Sequence, residues 1–187
     1  TTDVNTAVYG AAGAGSSNSD SMKMTGTTPG GQTNNVELWN GSAWTETTNV
    51  SQNSYQVSGD GTTSSSLKFG GSQSNAGTPA PNASALNEIW DGSSWTEVAD
   101  LNTGRWEIAG IGTTTAAIVA GGRTNASPNV SGDTEIWNGS GWTETSNLGT
   151  IRKNGNMAGT DTEAAIYFGG IDVPNNRRAY TESWNGS

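Results

Sequence analysis

Glu37 and Glu46, Glu88 and Glu97, and Glu135 and Glu144 each stand two residues outside a pair of tryptophans, Trp39/Trp44, Trp90/Trp95 and Trp137/Trp142. If each tryptophan pair faces across a four-residue loop, the two carboxylates also lie opposite one another. That geometry can hold Ca²⁺ or divide acid and base roles between two carboxyls. If Asn-Gly instead forms a two-residue turn, Glu37 lies opposite Trp44 and no pair forms. The recurrence of the motif in three copies argues for a building role, because a site grafted onto a scaffold is expected once. Like charges directly across a strand ladder are also destabilising. The chain has neither His nor Cys, which removes the commonest general base, the commonest metal ligand and every thiolate nucleophile. The expectation is therefore no catalytic residues, no cofactor-binding residues and no tightly held metal, with calcium the one cation the acidic composition leaves in view. The chain reads as a non-enzyme.

The remaining charged groups are few. Seventeen acidic residues against eight basic ones give a net charge of −9. A chain of that sign does not attract phosphate backbones or anionic lipid, so nucleic acid is not an expected partner. No apolar run approaches the ~18 residues of a membrane-spanning helix, so no membrane insertion is expected. Arg105, Arg123, Arg152, Lys153, Arg177 and Arg178 lie near strand ends and connections. There they either pair with local acids or hold an acidic surface glycan.

Only 24 of the 187 residues are Leu, Ile, Val or Phe, a content typical of disordered chains, yet eight Trp and 27 Gly accompany them. Their placement is regular. The tetrapeptides Trp39-Asn40-Gly41-Ser42, Trp90-Asp91-Gly92-Ser93, Trp137-Asn138-Gly139-Ser140 and Trp184-Asn185-Gly186-Ser187 recur at spacings of 51, 47 and 47 residues. Upstream of each lies a short strand-like run ending in glycine: Met22-Lys23-Met24-Thr25-Gly26, then runs closed by Gly70-Gly71, Gly121-Gly122 and Gly169-Gly170. A fixed period of this length marks stacked supersecondary units. The repeats run approximately over 1–46, 47–97, 98–144 and 145–187, within one domain or a fragment of one. Each predicts four strands, a to d: a glycine-broken strand a, strand b ending at the glycine pair, strand c with Glu-Ile-Trp, and strand d with Trp-Thr-Glu. Asn-Gly between aromatic-bearing runs predicts a c–d hairpin with positive φ at both central positions. The fold class is all-β, a propeller of four-stranded antiparallel blades, four in this chain, complete or part of a larger ring. Trp39, Trp44, Trp90, Trp95, Trp137, Trp142 and Trp184, with Gly71, Gly122 and Gly170, are its structural residues.

These residues resemble the kelch repeat, a blade with a glycine pair after its second strand, an aromatic in its third and a Trp in its fourth. Leu101-Asn102-Thr103-Gly104-Arg105 and Leu148-Gly149-Thr150-Ile151-Arg152 are similar to the family's hydrophobic-polar-Arg lead into the next blade. The variant form, with its shortened Asn-Gly-Ser turn and Trp in the third strand, looks like the kelch-like virion and tail-fibre proteins of marine tailed phages. That resemblance implies a structural or binding module on a virion surface or in an extracellular setting. Its partner would be host glycan or a neighbouring virion protein, and it could form a homo-oligomer or larger assembly. The alternative is an extracellular adhesin or protein-interaction scaffold of a cellular organism.

In an up-and-down blade the b–c and d–a connections emerge on one face. The b–c segments 27–35, 72–86, 123–133 and 171–178 vary in length while the c–d turn barely changes, and variable loops on a rigid frame are where recognition concentrates. The candidate partner-binding residues are Tyr55, Arg105, Trp106, Arg123, Arg152, Arg177 and Arg178. Two closures are open. In a closed four-blade ring, residues 1–5 pair with residues 181–184 as the missing outer strand. In a fragment of a longer array, the reading the truncated last repeat favours, they do not.

Overall fold

The computed structural model describes residues 2–73, 82–160 and 162–186. Every regular element among them is a strand, as expected from β-branched and aromatic runs punctuated by glycine. The first sheet contains β1 (Ala12–Ser17), β2 (Asp20–Thr28), β3 (Gly31–Trp39) and β4 (Trp44–Glu46). The second begins with β5 (Ser58–Thr62) and β6 (Ser65–Phe69). A short separate pair follows, β7 (Ser72–Gln73) and β8 (Asn82–Ala83), before the sheet resumes with β9 (Asn87–Trp90) and β10 (Trp95–Val98). The third contains β11 (Ala109–Gly112), β12 (Ala117–Ala120), β13 (Thr134–Trp137) and β14 (Trp142–Glu144), and the fourth β15 (Asn156–Gly159), β16 (Ala165–Phe168) and β17 (Thr181–Trp184). Strand order follows chain order in each sheet, all neighbours being antiparallel. The four sheets are arranged as the blades of a four-blade β-propeller, as the repeat predicts. Their first strands pack side by side, β1 on β5, β5 on β11 and β11 on β15.

Three apolar clusters fill the gaps between consecutive blades, and the period-2 alternation of strand b builds them. In β2, Met22 and Met24 point forward into the cluster holding Trp90 and Val57 of the next blade. In β6, Leu67 and Phe69 point forward against Trp137 and Trp142. In β12, Ile118 and Ala120 point forward against Met157 and Tyr167. The strand c tryptophans lie on the opposite face, Trp90, Trp137 and Trp184 each packing toward the preceding blade. Their indole N–H groups all donate to a carbonyl of their own a–b turn: Trp39 to Asn18, Trp90 to Thr63, Trp137 to Thr114 and Trp184 to Thr162, at 2.7–2.9 Å. The ring is thus buried, or half-buried in the case of Trp184, while its one polar group is satisfied.

The c–d hairpin differs in detail from a two-residue type I′ turn. The register pairs Trp39 with Trp44 and Glu37 with Glu46, with the same offsets in the second and third blades. The four-residue-loop alternative therefore holds. Only the glycine takes positive φ, at 90° for Gly41, 95° for Gly92 and 91° for Gly139. Asn40 serves another purpose: its Oδ1 accepts the N–H groups of Ser42 and Ala43 at 3.0 and 2.9 Å. Asp91 and Asn138 do the same for their own loops. A side-chain cap replaces the left-handed Asn because it satisfies two turn donors at once.

The glycine pairs have a conformational cause. Gly70 and Gly71 lie at φ 59° and 102°, Gly121 and Gly122 at 66° and 103°, and Gly169 and Gly170 at 69° and 95°. In the first blade Thr25 and Gly26 take the same two conformations, φ 58° and 120°, with a bulge between Met24 and Gly26. The weak first copy of the motif is therefore a full structural equivalent, with a β-branched residue where the other blades have glycine.

Strand a begins at Ala12, Ser58, Ala109 and Asn156, as expected in the fourth blade and three or four residues later than the expected starts at Val8, Tyr55 and Trp106 in the first three. Tyr9, Tyr55, Trp106 and Lys153 precede it and bridge instead to the residue that follows the glycine pair or its Thr25-Gly26 equivalent, namely Thr27, Ser72, Arg123 and Ile171. Residues 2–6 occupy the link position ahead of the first blade. Thr2 Oγ1 donates to the Ser42 carbonyl, and the Asn5 and Thr6 N–H groups donate to Glu37. Thr48 and Ser51 make the equivalent contacts with the second blade. Residues 2–5 are thus not the outer partner of β17, which pairs only with β16 among the described residues.

Candidate binding face

The strand c carboxylates are not free to do chemistry. Glu37, Glu88 and Glu135 are buried, and each accepts a backbone N–H from the link that leads into its blade: Asn5 at 2.7 Å, Ser51 at 2.8 Å and Asn102 at 2.8 Å. Glu182 takes the Gly149 N–H at 2.6 Å in the same way. Each also meets one cation. In the first two blades that cation is a lysine from strand b, Lys23 at 3.0 Å from Glu37 and Lys68 at 3.6 Å from Glu88. In the last two it is an arginine from the link, Arg105 at 2.6 Å from Glu135 and Arg152 on Glu182. Where the link supplies Arg105 or Arg152, strand b carries Val119 or Tyr167 at the lysine position. Where strand b supplies Lys23 or Lys68, the link carries Val8 or Ser54. Two geometries meet the same demand of a buried carboxylate for a counter-charge.

Electrostatics follow from this packing. Burial pushes the Glu37 carboxyl up, but the Asn5 N–H, the Lys23 ammonium and the Thr6 N–H together outweigh it and hold the group below its ordinary value. Burial pushes the Lys68 ammonium down, against the pull of Glu88. The opposing carboxylates Glu46, Glu97 and Glu144 are exposed, so each in-register pair has one partner locked in the blade interface. Among the described residues no cluster of three or more acidic side chains gathers at one point.

This packing also relocates part of the expected partner-binding set. Arg105 and Arg152 are fully buried and Trp106 is 4% exposed. Arg105 spends its guanidinium on the Gly121 and Asp133 carbonyls and on Glu135, and Arg152 on the equivalent Gly169 and Tyr180 carbonyls and Glu182. These three side chains belong to the frame and present no surface to a partner. Arg178 pairs with Asp172 at 2.5 Å and lies 5.4 Å from the Tyr180 ring, within its own loop. Arg177 is exposed on that loop. Arg123 lies 5.8 Å over the Trp106 ring, and Tyr55 meets Tyr9 edge-on at 6.3 Å.

The links do converge. Immediately after the bridging residues come Gly10, Gln56, Glu107 and Asn154, all in the left-handed region at φ 67°, 51°, 54° and 53°. Their backbones form a spiral in which each donates to the blade before: Gln56 N–H to Gly10, Glu107 N–H to Gln56 and Asn154 N–H to Glu107, at 2.7–3.3 Å. The residues that follow, Ala11, Val57, Ile108 and Gly155, line one cavity of about 600 Å³ together with all four first strands. The spiral therefore rims one end of that cavity. Glu107 sits on the rim 3.3 Å from Lys153 and 3.7 Å from Arg123, with the Gln56 amide donating to it at 3.4 Å. Tyr9, 65% exposed, stands beside Tyr55 on the same face.

The expected loops 123–133 and 171–178 lie on this face through their bridges to the links, whereas residues 27–28 and 31–35 belong to the paired strands β2 and β3, so the first b–c connection is a tight turn at Pro29-Gly30 and not a long loop. The loop 72–86 joins them at Ser72, with residues 74–81 outside the described residues. Tyr9, Gln56, Glu107 and Asn154 were not among the sequence candidates. Their signal was positional: Gln56, Glu107 and Asn154 stand two residues before strand a and Tyr9 three, offsets visible only once the four repeats are superposed. No protein-family model matches the chain, and no curated protein matches it in sequence, so the likeness to kelch blades rests on the repeat pattern itself.

Proposed function

We propose that the chain is a non-catalytic recognition propeller of kelch-like construction, a virion-surface or tail-fibre module of a tailed phage. Its link and b–c face holds host glycan or a neighbouring protein. The observation that carries this reading is the rim spiral. Gln56, Glu107 and Asn154 each hold a left-handed backbone that costs roughly 1 kcal/mol for a residue with a side chain. Such strain concentrates where a fold presents side chains for use. What the rim presents is the exposed Asn154 amide, the half-buried Gln56 amide and Tyr9, exposed beside a half-buried Tyr55, with the compensated Glu107 carboxylate largely buried beneath them. That composition suits a neutral polyhydroxylated ligand, with amides bonding hydroxyls and tyrosine faces taking the apolar side of a sugar ring.

The test is binding of the purified chain to a glycan array and to envelope fractions of candidate host bacteria, compared with Tyr9→Ala and Gln56→Ala. Binding lost in both variants, with thermal unfolding unchanged, supports the rim as the recognition surface. Full binding in both overturns it. Co-purification with cell envelopes of a producing organism, and never with virions, overturns the viral setting in favour of a cellular adhesin or scaffold.

A further inference from the structure

The cavity of about 600 Å³ between the four first strands falls in the size range of small-molecule sites, roughly 300–1,000 Å³. Its walls are short side chains and backbone. Each of β1, β5, β11 and β15 is paired on one side only, so the N–H and C=O groups of its other edge have no strand partner, and those edges surround the cavity. Ser58 and Asn156 add a hydroxyl and an amide, and Asp60 is the one charged side chain in the wall. Ala11, Gly13 and Asn156 are exposed and Asp60 is half-buried, so solvent reaches this wall.

Asp60 departs from the pattern of the glutamates that join the blades. Glu37, Glu88, Glu135 and Glu182 each meet a lysine or arginine, and Glu107 at the rim meets two. Among the described residues Asp60 forms no ion pair, and no residue lining the cavity is basic. It stands between two internal blades, β5 having β1 and β11 on its flanks and β11 having β5 and β15. The register places Ala14, Ile111 and Ala158 at the same position of the other blades, so the charge belongs to one wall alone. The two oxygens of Asp60 take the Gly61 and Gly112 N–H groups at 2.8 and 2.9 Å. A carboxylate has about four acceptor positions, so roughly half of its capacity remains.

We propose that this cavity is a binding site for a small hydroxylated ligand carrying a protonated primary amine, the chemistry of an amino sugar, with Asp60 as the counter-charge that the protein itself leaves unmatched. An ammonium brings one charge and three donors. One donor goes to Asp60 in a charge-assisted bond, and the free carbonyls of the strand edges and the Ser58 hydroxyl take the others. A hard divalent cation is the poorer fit, because it gathers several carboxylate oxygens and this wall has one carboxylate. The site is separate from the rim, since neither Tyr9 nor Gln56 lines the cavity.

Amide NMR of the full chain in slightly acidic buffer, titrated with glucosamine and with N-acetylglucosamine, tests this, because the second sugar keeps the ring and loses the charge. Glucosamine should bind saturably and shift the Gly61 and Gly112 amides, and N-acetylglucosamine should not. Asp60→Asn, which keeps the shape and removes the charge, should weaken glucosamine roughly tenfold or more. Circular dichroism and thermal unfolding establish that this variant folds, and the two-sugar comparison on the wild type decides the matter without it. Absence of saturable glucosamine binding overturns the proposal. So does equal binding of N-acetylglucosamine, a set of shifts confined to residues outside the cavity, or undiminished binding by folded Asp60→Asn.

Discussion

At the scale of single residues, the turns show how one motif meets different chemistry from blade to blade. Asp91 stands where the other turns have Asn, and the N–H groups and hydroxyls of Ser94 and Ser93 hold its carboxyl down at about 2, against an ordinary value of 3.8. A depressed carboxyl lends stability that is present above 3.8 and drains away as pH falls toward 2. The advantage of the wild type over Asp91→Asn should therefore be constant near neutrality and shrink in acid, as read by urea unfolding across an acidic pH series. Thr25 offers the opposite case. It is fully buried in the left-handed region with its hydroxyl unpartnered, at a position where the other three blades carry glycine. Thr25→Gly should raise stability by about 1 kcal/mol, relieving backbone strain and an orphaned hydroxyl together, as measured by denaturant unfolding.

At the scale of the blade, the carboxylate bolt and the tryptophan hairpin divide the work of joining units. Removing one partner of a buried ion pair leaves an uncompensated charge at a cost of about 3–5 kcal/mol, so Arg105→Ser should fall in that range. The chain's own first two blades suggest the remedy: Val119→Lys in the Arg105→Ser background copies the Ser54/Lys68 arrangement and should recover a large part of the loss in a double-mutant cycle. Failure of any rescue would mean that the link arginine acts through its carbonyl contacts rather than its charge. The two tryptophans of a hairpin are not equivalent across blades. Trp137 and Trp142 are 1% and 8% exposed, the latter held edge-on by Phe69 at 5.9 Å, whereas Trp95 is only half-buried. Truncation of Trp137 or Trp142 to Ala should cost roughly 3 kcal/mol or more, and Trp95→Ala distinctly less, by thermal or chemical unfolding.

At the scale of the whole molecule, the acidic composition is spent mostly on architecture. The strand c glutamates lie between blades, and Asp60 beside the cavity accepts the N–H groups of Gly61 and Gly112 at 2.8 and 2.9 Å. With those groups committed, the chain should retain neither a transition metal nor calcium in stoichiometric amount after dialysis, as measured by elemental analysis. A retained stoichiometric ion would overturn this expectation.

The repeat, the strand identities and the tryptophan core were legible in the sequence because they follow from local rules. Glycine pairs mark positions of positive φ, alternation sorts each strand into two faces, and a unit too small to bury its own face must stack. The carboxylate pairs were legible as recurring, hence as building material. The roles of the basic residues were not. Arg105 and Arg152 read as loop cations because nothing within their own segment shows the Glu135 or Glu182 that lies thirty residues downstream and neutralises them. Lys23 and Lys68 were invisible for the same reason, since their exchange with the link arginines is a relation between blades. The rim spiral was likewise hidden, because each of its hydrogen bonds joins residues of different repeats. Local sequence determines which conformations each segment prefers. Which charges are buried, and which side chains face a partner, is decided by what the neighbouring blade brings to the junction.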